Sequence, residues 1–191
     1  MQQSPFSERG LSGISSGLSN HGYGLYEHEP QPLASTFVTG ATGLLGNNLV
    51  RELVARGYAV KALVRSQAKG EQQFNDLPSV ERVVGDMADV DTFAAALQGC
   101  DTVFHCAAFF RDNYKGGSHW QALERINVVG TRALLQHAYD AGVRRFVHTS
   151  SIAVLDGAPD TLIDETCLRA EADADAYYRS KILADREVLA F

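Results

Sequence analysis

The sequence is poor in cysteine, tryptophan and long apolar runs, and it carries no excess of positive charge. Its 191 residues include three cysteines and one tryptophan, and the net charge is -6. Cys100, Cys106 and Cys167 lack C-x-x-C spacing, so we expect reduced thiols in a cytoplasmic protein and no metal site. The negative charge argues against a general binder of nucleic acid. No apolar run approaches the roughly 20 residues that span a bilayer, so no membrane partner is expected.

The first 33 residues lack the regular apolar pattern of the rest. They are rich in serine and glycine, end near Pro30 and Pro32, and show no sustained period of 2 or 3.6 residues. We interpret residues 1–33 as a flexible leader and residues 34–191 as one domain. The alternative is a segment that docks on the domain or on a partner through Phe6, Tyr23 and Tyr26.

From Thr36 onward, short apolar segments alternate with helical ones. The pattern predicts strands near 35–39, 58–65, 80–86, 101–106 and 144–150, with helices over 44–56, 67–76, 89–97, 118–141 and from 174 onward. This alternation is typical of parallel β-α-β units, so we predict an α/β fold with a doubly wound parallel sheet. Ligands of such sheets bind at the carboxyl ends of the strands, near the point where strand order reverses.

A turn punctuated by glycine joins the first predicted strand to the first helix. Its sequence is Thr39-Gly40-Ala41-Thr42-Gly43-Leu44-Leu45-Gly46. We expect Gly40 to take a backbone angle closed to other residues and Gly43 to let a phosphate approach the main chain. Gly46 would let the helix sit close to the strand. The N–H groups and positive dipole end of that helix then face the phosphates of a nucleotide.

The second predicted strand ends at Arg65, with Lys69 nearby and no carboxylate. An acidic residue at this place usually holds the free ribose 2′-hydroxyl of NAD, whereas a guanidinium suits the 2′-phosphate of NADP. We therefore expect a preference for NADP(H), with NAD(H) as the other cofactor. The alternative is a surface arginine that closes a strand.

Polar or small residues follow the third and fourth predicted strands. Asp86, which precedes Met87, could accept a hydrogen bond from an adenine amino group. Ala107 and Ala108 leave room for a nucleotide backbone after the fourth strand. His105 alone is more often a packed strand residue than a catalyst.

Hydroxyl groups follow the fifth predicted strand, and a tyrosine and a lysine share one face of the last helix. Thr149, Ser150 and Ser151 lie at the strand end, whereas Tyr177 and Lys181 are four residues apart. A lysine ammonium beside a phenol lowers the tyrosine pKa from about 10, so the phenol can exchange a proton with a carbinol or carbonyl. A serine hydroxyl can orient the same oxygen. A helix-surface Tyr–Lys pair is the alternative.

Taken in order over about residues 35–191, these motifs resemble those of the extended short-chain dehydrogenase/reductase family, within the epimerase/dehydratase superfamily. The turn at 39–46 resembles its T-G-x-x-G-x-x-G motif, and Tyr177 and Lys181 match its Y-x-x-x-K pair. Ser151 matches the active-site serine. Further matches are Gly85-Asp86, His105-Cys106-Ala107-Ala108 and Asn127-Val128-Val129-Gly130-Thr131. Within this family, the sequences of the motifs are most similar to those of dihydroflavonol-reductase and 3β-hydroxysteroid-dehydrogenase-like members.

The resemblance implies a Rossmann fold and hydride transfer between nicotinamide and a small carbonyl or alcohol substrate. Tyr177 would move the proton, Lys181 would hold the nicotinamide ribose, and Ser151 would position the substrate oxygen. Asn127 is expected either to take part in the reaction or to fix the long helix near the fourth strand. The expected cofactor-binding residues are Thr39, Gly40, Thr42, Gly43, Leu44, Leu45, Gly46, Arg65, Asp86, Met87, Ala107, Ala108, Thr149, Tyr177 and Lys181.

Two alternatives stay open beside this reading. A nucleotide-sugar epimerase or dehydratase uses the same Tyr177, Lys181 and hydroxyl set with tightly held NAD, although Arg65 argues against it. Extended members also run to about twice the length of the matched part, so the resemblance leads us to expect a fold incomplete on its C-terminal side. A truncated nucleotide-binding module without turnover is therefore the other alternative. A homodimer through the helices over 118–141 and 174–190 is a further expectation.

Overall fold

A computed structural model of the protein describes residues 33–110 and 119–191. Five parallel strands form one sheet in the order β3-β2-β1-β4-β5. The strands are β1 Leu33–Thr39, β2 Tyr58–Val64, β3 Val80–Val84, β4 Thr102–His105 and β5 Arg145–His148. Strand order reverses between β1 and β4, so the carboxyl ends of these neighbours form the switch point of the sheet. The predicted doubly wound parallel sheet is confirmed.

Five α-helices and one π-helical segment accompany the sheet in the described residues. The helices are α1 Leu44–Ala55, α2 Gln67–Phe74, α3 Trp120–Leu123, α4 Gly130–Asp140 and α5 Ala176–Ala190. The π-helical segment, Glu124–Val129, joins α3 to α4. The long helix predicted over 118–141 is therefore one helical stretch with an internal change of winding, and its first predicted residue lies outside the described residues.

The segment between β3 and β4 differs from its prediction. A single helix was expected over 89–97, but the chain forms two short 3-10 turns, Val90–Thr92 and Ala94–Leu97. Val90, Phe93 and Leu97 are all buried, as they would be in an amphipathic helix. Phe93 has φ of -124°, which interrupts helical winding between the two turns. The spacing of apolar residues was right, and the type of helix was wrong.

Apolar cores cover both faces of the sheet. Phe37 and Val38 are adjacent on β1 and each is fully buried, because successive side chains of a strand point to opposite faces. Phe37 packs in a cluster with Phe93 and Leu134. Val38 packs in a second cluster with Val50 of α1. Central β1 is thus held from both sides, and its carboxyl end is fixed at the switch point.

The interpretation of a flexible leader concerns residues outside the described part, apart from Leu33, which begins β1. Across residues 33–110 and 119–191, no helix combines the length and apolar character needed to cross a membrane. The same residues contain no group of three or more His, Cys, Asp or Glu side chains that could hold a metal ion.

Candidate active site

The glycine turn after β1 packs against the loop after β4. Gly40 has φ of 65°, and a Cβ there would lie 2.7 Å from the backbone nitrogen of Ala107. A Cβ on Gly46 would lie 2.3 Å from the carbonyl oxygen of Gly40. Both positions therefore admit only glycine without a backbone shift. Gly43 is the N-cap of α1, and no side chain caps the first turn there, which leaves N–H groups available to an anion.

The side chains around this turn are arranged as the rim of an open site. Leu44 and Leu45 are 89% and 55% exposed, and Thr42 is half-buried. Across the turn, Ala107 is half-buried and Ala108 is exposed. Exposed leucines and a small alanine thus border the free end of α1.

Arg65 lies directly after β2 at the same edge of the sheet. It is exposed, and within the described part of the chain it makes no hydrogen bond or ion pair. Ser66 follows it as the N-cap of α2, where its Oγ accepts a hydrogen bond from the backbone nitrogen of Lys69 at 3.4 Å. The guanidinium is thus available to a ligand phosphate.

Asp86 and Met87 have different surroundings although they are adjacent. Asp86 Oδ1 accepts a hydrogen bond from the backbone nitrogen of Ala88 at 2.8 Å. The Met87 side chain is 5% exposed and packs in the core with Phe37. Its carbonyl oxygen is 2.4 Å from the place that a Cβ on Gly130 would occupy. A contact between Met87 and a nucleotide would therefore use the backbone.

His105 joins the glycine turn to the long helix. Its Nδ1 is 2.7 Å from Thr39 Oγ1, and its Nε2 is 2.9 Å from Thr131 Oγ1. The Thr131 hydroxyl donates to the carbonyl oxygen of Asn127 at 2.6 Å, so Nε2 must carry the proton that binds Thr131. Nδ1 then accepts from Thr39, whose oxygen accepts from the Ala107 nitrogen at 3.1 Å. Burial holds the pKa of His105 well below 6.5, in agreement with a neutral ring.

Asn127 links the loop after β4 to α5. Its Oδ1 accepts a hydrogen bond from the Phe109 nitrogen at 2.7 Å, and its Nδ2 donates to the Phe109 carbonyl at 3.1 Å. The same Nδ2 donates to Ser180 Oγ at 3.0 Å, and Ser180 Oγ donates to the carbonyl of Tyr177 at 2.7 Å. Asn127 lies in the π-helical segment, and π-bulges are frequent at functional sites.

Lys181 reaches the carboxyl end of β5 from α5. The residue is 3% exposed, and its Nζ donates a hydrogen bond to the Thr149 carbonyl at 2.8 Å. Burial lowers the pKa of Lys181, and the charge of Asp185 acts in the opposite direction. Tyr177 lies one helical turn earlier, half-buried, with its ring centroid 4.7 Å from that of Phe110.

Ser151 lies two residues after Thr149, at the start of the 3-10 turn Ile152–Val154. Its Oγ accepts a hydrogen bond from the Ala153 nitrogen at 3.2 Å, and the side chain is half-buried. A hydroxyl that accepts from the backbone retains its own proton for another acceptor. The structure thus brings Thr149 and Lys181 into contact. Ser151 lies two residues after Thr149, and Tyr177 lies one helical turn before Lys181.

A carboxylate that the sequence analysis did not single out completes this region. Asp185 Oδ1 is 3.1 Å from His148 Nε2, and Asp185 Oδ2 accepts a hydrogen bond from the Ser150 hydroxyl. Burial would raise the pKa of Asp185, but the hydrogen bonds from His148 and Ser150 outweigh it, so that the pKa is lowered. The signal in the sequence was its spacing, since Asp185 follows Lys181 by four residues.

The part of the chain that carries this site is similar to known proteins. Residues 40–190 match a family model described as NAD(P)H-binding. Sterol demethylase protein B of Methylococcus capsulatus is 42% identical over 157 residues, which cover 81% of this chain and 46% of that protein. A dihydroflavonol 4-reductase-like protein of Synechocystis is 40% identical over 159 residues, which cover 80% of this chain and 43% of that protein.

A solved structure shows the same architecture. It is a short-chain dehydrogenase/reductase superfamily protein from Agrobacterium tumefaciens with bound NAD. It is 29% identical with a TM-score of 0.67, and the match covers 81% of this chain and 44% of that one. The chain spans about half the length of the curated relatives that it matches.

Proposed function

The chain belongs to the NAD(P)H-binding family, among the extended short-chain dehydrogenases and reductases, and we propose that it is the cofactor-binding part of an NADP(H)-dependent oxidoreductase. The observation that carries the proposal is the burial of Lys181 at the end of β5. Lysine is almost never fully buried unless paired, because desolvation of its charge is costly. A lysine held there by the Thr149 carbonyl, one turn from Tyr177, supports the proposed role because its charge lies beside the candidate acid–base group.

The proposed reaction transfers a hydride between the nicotinamide and a small carbonyl or alcohol substrate. The bound cofactor supplies or accepts the hydride. Tyr177 gives a proton to the substrate oxygen in reduction and takes it back in oxidation. Lys181 stabilises the phenolate by its positive charge and holds the nicotinamide ribose. The Ser151 hydroxyl donates a hydrogen bond to the same substrate oxygen.

The substrate is proposed to carry its hydroxyl or carbonyl on an apolar body. Ile152, directly after Ser151, is 75% exposed, and Phe110, against the Tyr177 ring, is 40% exposed. These apolar side chains border the candidate catalytic residues. The names of the two relatives, which refer to a sterol and a dihydroflavonol, agree with a ring-bearing apolar substrate.

Arg65 supports NADP(H) as the cofactor. A guanidinium without a partner among the described residues, placed at the end of β2, suits the ribose 2′-phosphate. We expect Arg65→Ala to weaken NADPH binding about tenfold or more, because hydrogen bonds to charged groups contribute about 1.5–3 kcal/mol. NADH binding should change little. Titration by nucleotide fluorescence measures both constants, and Arg56→Ala is the control because Arg56 already pairs with Glu52.

The assignment of NADP(H) would be refuted by tighter binding of NADH than of NADPH to the unmodified protein. That result would favour the second candidate, a nucleotide-sugar epimerase or dehydratase with NAD. The NAD bound in the Agrobacterium relative supports NAD as the cofactor of that candidate.

The proton-transfer role is tested by Tyr177→Phe. We expect turnover of a panel of carbonyl substrates with NADPH to fall about 100-fold or more, since general acid–base catalysis contributes about 10²–10⁴-fold. Cofactor binding should persist, because the glycine turn and Arg65 are untouched. Tyr178→Phe on the neighbouring position is the matched control. Turnover that survives in Tyr177→Phe contradicts the role, and binding without turnover in the unmodified chain would identify a nucleotide-binding module.

A further inference from the structure

Three residues of α5 recur at intervals of one helical turn along the candidate site. Tyr177, Lys181 and Asp185 are spaced by four, so they share one face of the helix. The proposed function uses the first two. The third, Asp185, is more than half enclosed, with 22% of its side chain exposed. It makes both of its side-chain contacts with the end of β5 and the residues that follow.

We propose that Asp185 is a positioning residue that clamps the end of β5 to α5 and so sets the place of Ser151 relative to Lys181. The inference rests on the proposed function for its consequence in catalysis, although the clamp itself is a property of the fold. Its basis is that Asp185 and Lys181 together hold three consecutive residues, 148–150, immediately before Ser151.

The contacts that residues 148–150 make with α5 alternate between side chain and backbone. His148 Nε2 is 3.1 Å from Asp185 Oδ1, and the Ser150 hydroxyl donates to Asp185 Oδ2. Between them, the Thr149 carbonyl accepts from Lys181 Nζ at 2.8 Å. Since both carboxylate oxygens are engaged, neither residue beside Thr149 can shift without loss of a hydrogen bond to a charged acceptor.

The state of His148 supports this role. Its side chain is 7% exposed, and among the described residues its Nδ1 is buried without a hydrogen-bond partner. A buried polar atom without a partner costs free energy. Among the described residues, the contact of Nε2 with Asp185 is therefore the one hydrogen bond that holds the ring.

Asp185 also acts on Lys181 by charge. Asp185 on α5 and His105 on β4 are coupled to Lys181 by charge, and Tyr177 lies one turn before it on α5. Of these, Asp185 is the carboxylate, and its charge raises the pKa of Lys181 against the effect of burial. Loss of the carboxylate should therefore both loosen the strand end and make the lysine easier to deprotonate.

The test compares Asp185→Asn with Glu187→Gln in the full chain. Glu187 is a carboxylate on the same helix that contacts Arg132 of α4 rather than β5, so it is the matched control. The readout is the ¹³Cε resonance of Lys181 in lysine-labelled protein, assigned with Lys181→Arg and followed against pH. We expect Lys181 to lose its proton at lower pH in Asp185→Asn than in the wild type, and Glu187→Gln to titrate as the wild type does. Amide hydrogen exchange over residues 148–154 should be faster in Asp185→Asn than in the wild type and in Glu187→Gln, and equal exchange in all three proteins would overturn the inference.

A second measurement covers the case in which Asp185→Asn does not fold. Ser150→Ala keeps the carboxylate and removes one donor, and amide hydrogen exchange is measured over residues 148–154. We expect exchange about tenfold faster than in the wild type, as loss of a hydrogen bond to a charged group predicts. Unchanged exchange would overturn the clamp.

A measurement of hydride transfer distinguishes failure of this inference from failure of the proposed function. In a folded Asp185→Asn or Ser150→Ala protein, kcat should fall about tenfold or more, because a small misplacement of reacting groups is costly in rate. If the wild type transfers no hydride, the proposed function fails, whereas the lysine titration and the exchange rates still decide the role of Asp185.

Discussion

Mild acid should destabilise the domain through His105. The ring lies in the interior at the end of β4, 1% exposed, with its two nitrogens occupied by Thr39 and Thr131. A proton can be added only at Nδ1, which accepts from the Thr39 hydroxyl. Protonation would therefore place a charge in the interior and would require the Thr39 hydroxyl to give up its hydrogen bond to the ring.

The direction and size of the effect follow from the pKa of His105. Burial, with the charges of His148 and Lys181, holds this pKa well below 6.5 in the folded protein, whereas the unfolded chain binds the proton near 6.5. The stabilisation is therefore fully present above pH 6.5 and is lost as the pH falls toward the folded-state pKa. The free energy of unfolding should fall by up to about 1.4 kcal/mol per pH unit in this window.

Urea unfolding followed by circular dichroism at a series of pH values measures the slope. His105→Gln removes the titrating group. Between about pH 7 and about pH 5, its free energy of unfolding should therefore depend less steeply on pH than that of the wild type, by up to about 1.4 kcal/mol per pH unit. His137→Gln, a substitution on the outer part of α4 beside Asp91, should retain the steep dependence. Equal slopes for the wild type and His105→Gln would refute the assignment of a buried neutral histidine.

Two further substitutions test the geometry of the site. Gly46→Ala should lower the melting temperature and weaken NADPH binding at least tenfold, because the new Cβ would lie 2.3 Å from the Gly40 carbonyl oxygen. Gly99→Ala is its control, since a Cβ there meets nothing within 4 Å and should cost about 1 kcal/mol of backbone strain without loss of binding. Asn127→Leu should lower the free energy of unfolding by about 2–4 kcal/mol, because it leaves buried partners in the loop after β4 and on α5 unsatisfied. A loss below about 1 kcal/mol in urea unfolding would contradict that account.

The parts of the site fixed by local chemistry could be predicted from the sequence. The glycine turn was readable because the steric demands at Gly40 and Gly46 act over a few residues. The positions of Arg65 and Thr149 at one edge of the sheet followed from parallel strands, whose carboxyl ends share an edge. The placement of Tyr177 and Lys181 one turn apart on α5 required only helical spacing.

The parts fixed by distant contacts could not be predicted. The π-helical segment leaves no trace in apolar spacing, because Asn127 takes its partners from Phe109 and Ser180, which are remote in sequence. The roles of His148 and Asp185 likewise depend on how α5 lies against β5. A periodic pattern shows which side of a helix is buried, but it does not show which polar group on another element meets it.

The glycine turn after β1 and helix α5 are joined by a chain of hydrogen bonds with one permitted direction. Thr39 donates to His105, His105 to Thr131, and Thr131 to the Asn127 carbonyl, while the Asn127 side chain donates to Ser180. Each hydroxyl has a single proton. No hydrogen bond of this chain can therefore reverse its direction unless its neighbours reverse as well or the His105 ring becomes charged. Burial opposes that charge. The relative placement of the glycine turn and α5 is therefore set by contacts within the fold. Under the proposed function, the binding energy of a dinucleotide need not be used to assemble the site.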